Sequence, residues 1–280
     1  MKTHELRCLG PHGFHRVVYY EWGDVANPRV VLCVHGLTRN GRDFDALAQA
    51  LAPRFRVLCP DIVGRGMSDW LGHKQDYGYP LYLCDMAALI ARSGAQQVAW
   101  VGTSMGGLIG MMLAAHAATP VARLVLNDVG PFIPRAALER MSMYVGKAPS
   151  FATQEQLEQY LRLVMAPFGT LSDAQWRHLA RHSARRTDDG SIGVSYDPAI
   201  GNAFAAPLDD VSLWPVWDAV RCPTLVLRGK ESDLLLRDTA VEMTRRGPNA
   251  RLHEFAGVGH APALMCEDQI AVVKQYLEQP

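Results

Sequence analysis

The sequence has no charge of either sign to spare. Lys plus Arg and Asp plus Glu each total 28 among 280 residues, so the formal net charge is zero. That balance excludes a bulk electrostatic partner such as nucleic acid or an anionic membrane surface. No run of eighteen apolar residues is present, which excludes a membrane-spanning helix. The first ten residues hold no seven-residue apolar stretch able to act as a signal-peptide core, so a cytoplasmic protein is expected. There is no CxxC pair: Cys8, Cys33, Cys59, Cys84, Cys222 and Cys266 fall singly. Buried free thiols in a reducing compartment are expected from that scatter, rather than disulfides or a zinc site. Internal repeats and low-complexity segments are also missing. What remains is an ordinary globular composition, 49% hydrophobic and 20% charged, with length for one or two domains.

The hydrophobic pattern alternates. Val30–Val34 is a continuous apolar, β-branched run stopped by His35-Gly36, as in a strand buried on both faces. Phe44, Leu47, Ala48 and Leu51 mark one face of a helix ended by Pro53. A strand over Phe55–Cys59 follows, then a helix through Leu83, Ala87, Ile90 and Ala91, closed by Gly94. A strand at Val98–Val101, a helix from Met105 to about Ala118 and a strand at Ala122–Leu126 complete the series. Such alternation predicts a parallel sheet with helices on both faces. It breaks from Pro131 to about Leu213, where helical signals recur over 136–145, 154–164 and 173–185. It resumes with a strand at 223–228, a helix near 239–245, a strand at 252–255 and a final helix over 261–277. An insertion of that size between two halves of one sheet predicts a core of residues 1–130 and 214–280 carrying a cap of residues 131–213.

The turn Gly102-Thr103-Ser104-Met105-Gly106 stands between a strand and a helix. A G-x-S-x-G elbow reverses the chain so tightly that its flanking positions tolerate little beyond hydrogen, and its serine is held strained and exposed. The following helix points its N-terminus at that hydroxyl and favours negative charge there. Ser104 is therefore the candidate nucleophile. No phosphate-binding glycine pattern fits the segment.

Serine needs a base, and the base needs a carboxylate to orient it. Among the downstream histidines, His182, His253 and His260, only His260 lies in a flexible loop just past a strand, Gly257-Val-Gly-His260-Ala-Pro262. For the acid, Asp233 in Gly229-Lys-Glu-Ser-Asp233 is the first candidate, with Glu231 its lesser neighbour. Asp128, in Asn127-Asp-Val-Gly-Pro131 after the preceding strand, is a rival, because a carboxylate there could also reach the histidine. A tetrahedral oxyanion needs two preorganised donors. The backbone amide of Met105 is one, and the loop His35-Gly36-Leu37-Thr38 offers Leu37 as the other, with Gly36 permitting close approach and His35 supporting the turn.

Together His35-Gly36, Asp61-Ile-Val-Gly-Arg-Gly-Met-Ser-Asp69, the Ser104 elbow, Gly229–Asp233 and Gly257–His260 resemble the α/β-hydrolase superfamily over nearly the whole chain. The resemblance implies a mostly parallel eight-stranded sheet, a helical cap inserted after the sixth strand, and a Ser-His-Asp triad with no cofactor and no metal. Haloalkane dehalogenases and epoxide hydrolases of similar sequence carry Asp at the elbow, where this chain has Ser104. The Ser-Met-Gly-Gly stretch resembles esterases, carbon-carbon hydrolases of ring-fission products and cofactor-free haloperoxidase-like enzymes.

The expected activity is hydrolysis of small to medium carboxylic esters through an acyl-enzyme. Two alternatives stand beside it: a carbon-carbon bond hydrolase of vinylogous diketones, and a non-catalytic small-ligand-binding protein on the same fold. The expected partner is a small-molecule substrate, with a homodimer also allowed. His178 and His182 share the four-residue spacing of a zinc motif, yet Leu179 takes the place of the catalytic Glu. Arg177, Arg181, Arg185 and Arg186 crowd the same segment, which reads as a solvated basic face. A weaker reading has those arginines attracting a carboxylate-bearing substrate.

Overall fold

A computed structural model describes residues 1–279. Strand β1 (Lys2–Gly10) turns into β2 (Gly13–Trp22), and the two pair antiparallel over their full length. Then come β3 (Val30–Val34), a 3-10 turn over Gly41–Phe44 running into helix α1 (Asp45–Leu51), β4 (Arg56–Pro60), α2 (Tyr79–Ser93), β5 (Val98–Thr103), α3 (Met105–Ala115) and β6 (Val121–Asn127). The next stretch holds short strands β7 (Phe132–Ile133), β8 (Ser150–Phe151), β9 (Ala184–Arg186), β10 (Ile192–Val194) and β11 (Val211–Ser212). Among them lie helices α4 (Arg135–Ser142), α5 (Gln154–Val164) and α6 (Asp173–Ser183). Helix α7 (Trp214–Ala219), β12 (Thr224–Gly229), α8 (Arg237–Met243), β13 (Arg251–Phe255) and α9 (Glu267–Glu278) close the chain.

The main sheet has eight strands in the order β1-β2-β4-β3-β5-β6-β12-β13. From β4 to β13 neighbours run parallel, and β2 and β1 add on antiparallel at one edge. All five residues of β3 and all six of β12 are buried, because helices cover both faces. The period of two sorts their side chains. Leu32, Leu58 and Trp100 enter the core on one face, while Val31, Cys33, Val57 and Val101 enter the core on the other. Helix α2 starts with a proline in its first turn and stops at Gly94, whose φ of 73° suits a glycine. Helix α6 starts from a capping box in which Ser172 and Gln175 satisfy each other's backbone amides.

Three differences from the sequence reading have physical causes. The edge hairpin β1–β2 carries no turn signal in the pattern beyond Pro11 to Gly13, and the alternation begins only at Val30. The expected final helix over 261–277 is Glu267–Glu278 instead, since Pro262 and the left-handed Leu264 (φ 55°) keep residues 261–266 in a loop. The insertion contains five short strands as well as the expected helices. Its two- and three-residue strands are too brief for a periodic signal. All six cysteines are free; Cys8, Cys33 and Cys59 are buried as expected, but Cys84 is exposed and Cys222 and Cys266 are half-buried.

Helix α3 lies against β5 through a glycine. A Cβ at Gly110 would sit 2.3 Å from Nε1 of Trp100, whose indole donates to the Gly106 carbonyl at 2.9 Å and so ties the helix start to the strand. Gly110→Ala is therefore expected to cost about 1–3 kcal/mol of unfolding free energy through overpacking. Urea denaturation measures it, and an unchanged midpoint would show that the Trp100 ring yields freely.

Candidate active site

The elbow is built as its spacing requires. Ser104 adopts φ 52° and ψ −117°, between the end of β5 and the first turn of α3. A Cβ on Gly102 would lie 2.3 Å from the Gly106 carbonyl oxygen, and one on Gly106 would lie 2.0 Å from that of Val34. Only hydrogen fits at either position, which is why the strained serine is flanked by glycines.

Three side chains from three loops meet at this point. His260 Nε2 lies 3.0 Å from Ser104 Oγ, and His260 Nδ1 lies 2.8 Å from Asp128 Oδ2. Asp128 follows β6, has φ 55° and is fully buried. Its Oδ2 also accepts from the Ser232 hydroxyl at 2.6 Å, and its Oδ1 from the Gly229 amide at 2.8 Å. Three donors thus replace water around a buried carboxylate.

Asp233, the first candidate from sequence, is not in this line. It is half exposed, and it accepts from Arg140 Nη2 at 2.9 Å and from Arg140 Nε. The loop after β12 turns Ser232 inward onto Asp128 and Asp233 outward onto α4. Glu231, the lesser candidate, accepts from the Gly257 and Val258 amides at 3.1 and 2.8 Å and so braces the loop that carries His260. Asn127 steadies it from the other side, donating to the Pro262 carbonyl at 2.8 Å and to Thr103 Oγ1 at 2.9 Å.

The loop expected to supply an oxyanion donor stands opposite. Gly36 leaves Ser104 close, since a Cβ there would be 3.6 Å from that of Ser104. His35 is buried; it accepts from the Ile62 amide through Nε2 at 2.9 Å, so Nδ1 donates to the Gly36 carbonyl at 2.7 Å. Burial pushes its imidazole down to about 3, and it stays neutral at physiological pH. Sequence reading passed over Arg65. Wholly buried, it donates to the Leu37 carbonyl at 2.9 Å and places Nη2 3.5 Å from Met105 Sδ. It thereby ties together the two residues chosen as oxyanion donors. The only signal for it was its place in Asp61-Ile-Val-Gly-Arg65.

Above Ser104 and His260 lies a cavity walled mainly by Met141, Tyr144, Tyr160, Leu161, Met165, Phe168 and Tyr196, with Arg39 and Arg140 at its polar positions. All seven apolar and aromatic residues of this wall come from residues 131–213, whereas Trp176 of the same segment is buried in the core.

Two clusters bring together residue types that bind metals: Asp45 with His178 and His182, and Cys8 with His15 and Asp85. In the first, the Arg42 guanidinium already makes three hydrogen bonds to Asp45, at 2.5 to 2.9 Å, which puts a cation where a metal would go. In the second, His15 Nε2 spans both Asp85 oxygens at 2.9 and 3.0 Å. Burial and the neighbouring Asp85 push the Cys8 thiol up to about 12. Among the described residues no helix is long and apolar enough to cross a membrane.

Residues 29–264 match the family model of the α/β hydrolase fold. The chain belongs to the α/β hydrolase family. It is 45% identical to the 3-hydroxybutyrate-oligomer hydrolase of Cupriavidus necator over 97% of this chain and 96% of that one. An esterase of Mycobacterium tuberculosis is 28% identical over 86% of this chain and 78% of its own. A crystal structure of an α/β hydrolase from Novosphingobium aromaticivorans superposes with a TM-score of 0.86 at 37% identity, covering 99% and 98% of the two chains. The mostly parallel eight-stranded sheet expected from the motifs is the one observed.

The neutral, buried His35 has a consequence for stability. Its ordinary value is 6.5 and its folded value about 3, so between these the unfolded chain binds a proton that the folded chain refuses. Stability is lost as pH falls through that window. Asp61, raised by burial from 3.8 to about 6, acts in the opposite sense below pH 6 and offsets part of the loss. His35→Gln is expected to flatten the fall of Tm between pH 6.5 and 4.5. Parallel Tm–pH curves for variant and parent would contradict this account.

Proposed function

We propose that the chain is a serine ester hydrolase acting on short oligoesters of hydroxy acids such as 3-hydroxybutyrate. The line Ser104–His260–Asp128, with contacts of 3.0 and 2.8 Å beneath a mainly apolar cavity, carries the reading. The substrate class rests on the resemblance to the Cupriavidus necator protein, since an oligomer of a hydroxy acid is joined by ester bonds.

In this mechanism His260 takes the Ser104 proton as Oγ attacks the ester carbonyl. The carbonyl oxygen becomes an oxyanion, received by the Leu37 and Met105 amides at the elbow. His260 returns the proton to the departing alkoxide, freeing the alcohol end of one fragment. Water then attacks the acyl-Ser104, gives its proton to His260, and the acid fragment leaves with Ser104 restored. Asp128 holds the imidazole with Nδ1–H toward itself and stabilises the imidazolium formed in each half. Side chains and water complete this chemistry, so it calls on no cofactor.

The insertion, residues 131–213, acts in this reading as a cap. It contributes a mainly apolar and aromatic wall, with Tyr144, Tyr160 and Tyr196 among its lining side chains. Arg140 lines the same wall, its guanidinium held in a two-point pair with Asp233.

Turnover of purified 3-hydroxybutyrate dimer and trimer beside p-nitrophenyl butyrate tests the reading. The oligomers are expected to be cleaved to monomer, and Ser104→Ala to lose roughly 10⁴-fold or more in kcat. Faster cleavage of a vinylogous diketone than of any ester, or ligand binding without turnover, would overturn it.

A further inference from the structure

A second cavity, of about 450 Å³, opens between the sheet and the inserted segment, lined by β2, the loops at 40–42 and 66–70, and residues 181–186. Its walls carry five guanidinium groups, Arg16, Arg42, Arg181, Arg185 and Arg186. Two are spoken for. Arg16 pairs with Glu5 at 2.7 Å and Asp69 at 3.2 Å, and Arg42 pairs with Asp45 at 2.5 Å. The other three have no carboxylate partner among the described residues; Arg185 instead lies over the Trp70 ring, 3.9 Å from its centroid. The one carboxylate in the wall, Asp69, already accepts from the Arg16 amide and Nε.

Arg181, Arg185 and Arg186 are exposed and converge on this cavity without a carboxylate to neutralise them, so its wall is complementary to an anion. His182, in the same wall, adds no charge of its own: burial first and the adjacent Arg42 second push its imidazole down to about 4. Arginine forks suit planar or tetrahedral oxyanions carrying more than one charge.

We propose that this cavity is a binding site, separate from the catalytic one, for a small multiply charged anion bearing carboxylate or phosphate groups, seated on Arg181, Arg185 and Arg186. The two cavities share a wall. Ser195 lines both, its amide donates to the Ser183 carbonyl at 2.8 Å, and Ser183 Oγ accepts from Arg39 Nη1 at 2.8 Å on the catalytic side. An anion that fixes residues 181–186 therefore stiffens a strap of the substrate cavity, and the expected readout is a change in KM rather than in the chemical step.

Isothermal titration with pyrophosphate and with citrate, at physiological ionic strength, tests the site on the intact chain; the pair separates phosphate from carboxylate preference. One-to-one binding of at least one of them is expected. Arg181→Gln and Arg185→Gln are expected to weaken it roughly tenfold each while leaving kcat on p-nitrophenyl butyrate within about twofold, since exposed charges act locally. Binding that persists unchanged in the double variant, or no binding of either anion, would overturn the proposal. So would a raised KM for 3-hydroxybutyrate dimer in a double variant that, like the parent, binds neither free anion, because the arginines would then belong to the substrate path. The titration needs no turnover, so it stands even if the oligoester reading fails.

Discussion

The arrangement of side chains around Ser104 hangs on one buried carboxylate. Asp128 sits where β6 ends, without water, and its two oxygens are filled by the Gly229 amide, the Ser232 hydroxyl and His260. An uncompensated charge there would be ruinous, and each of the three donors comes from the half of the chain that follows the insertion. The two halves of the sheet are thus joined at the site by hydrogen bonds as well as by β6–β12 pairing. The carboxylate orients the imidazole, and the loop bearing that imidazole is in turn pinned by Glu231 and Asn127. Precision at Ser104 is therefore supplied by residues that never reach a substrate.

Much of this was legible in the sequence because it depends on local rules. The elbow glycines are dictated by close backbone contacts, Gly102 against Gly106 and Gly106 against Val34, and the tight turn they permit leaves a five-residue pattern that reveals them. His260 stands out because it alone among the downstream histidines follows a strand in a glycine-rich loop. The choice between Asp128 and Asp233 is different in kind. Both follow parallel strands in neighbouring positions of the sheet, and either could face the histidine. What decides is a left-handed backbone at Asp128, the inward turn of Ser232, and the presence of Arg140, ninety-three residues away in sequence, as a partner for Asp233. None of these leaves a mark on hydrophobic periodicity. Arg65 was hidden for the same reason, since its partners Leu37 and Met105 are long-range. The edge hairpin and the short strands of the insertion escaped because elements that are exposed on one face or only two residues long carry little pattern.

The same buried framework sets the electrostatics. Burial of His35, Asp61 and Asp128 ties the loop after β3 and the His260 imidazole into hydrogen bonds shielded from water, where such bonds are strong. The apolar wall donated by residues 131–213 extends that dryness above the serine. Outside it, the cavity behind Ser195 has the opposite character, lined by arginines rather than apolar side chains. The chain thus presents two environments on either side of one short strap, with only the inner one carrying Ser104 and His260.

The most direct test of the account compares Asp128→Asn with Asp233→Asn. Each amide keeps the size of the acid, so folding can be checked by Tm and the comparison made on kcat for one ester substrate. If Asp128 orients His260, its replacement lowers kcat by roughly 10⁴-fold, the scale set by loss of a triad acid, while Asp233→Asn retains kcat within about tenfold and shifts mainly KM. The reverse pattern, full activity without the Asp128 carboxylate and its loss without that of Asp233, would contradict the account.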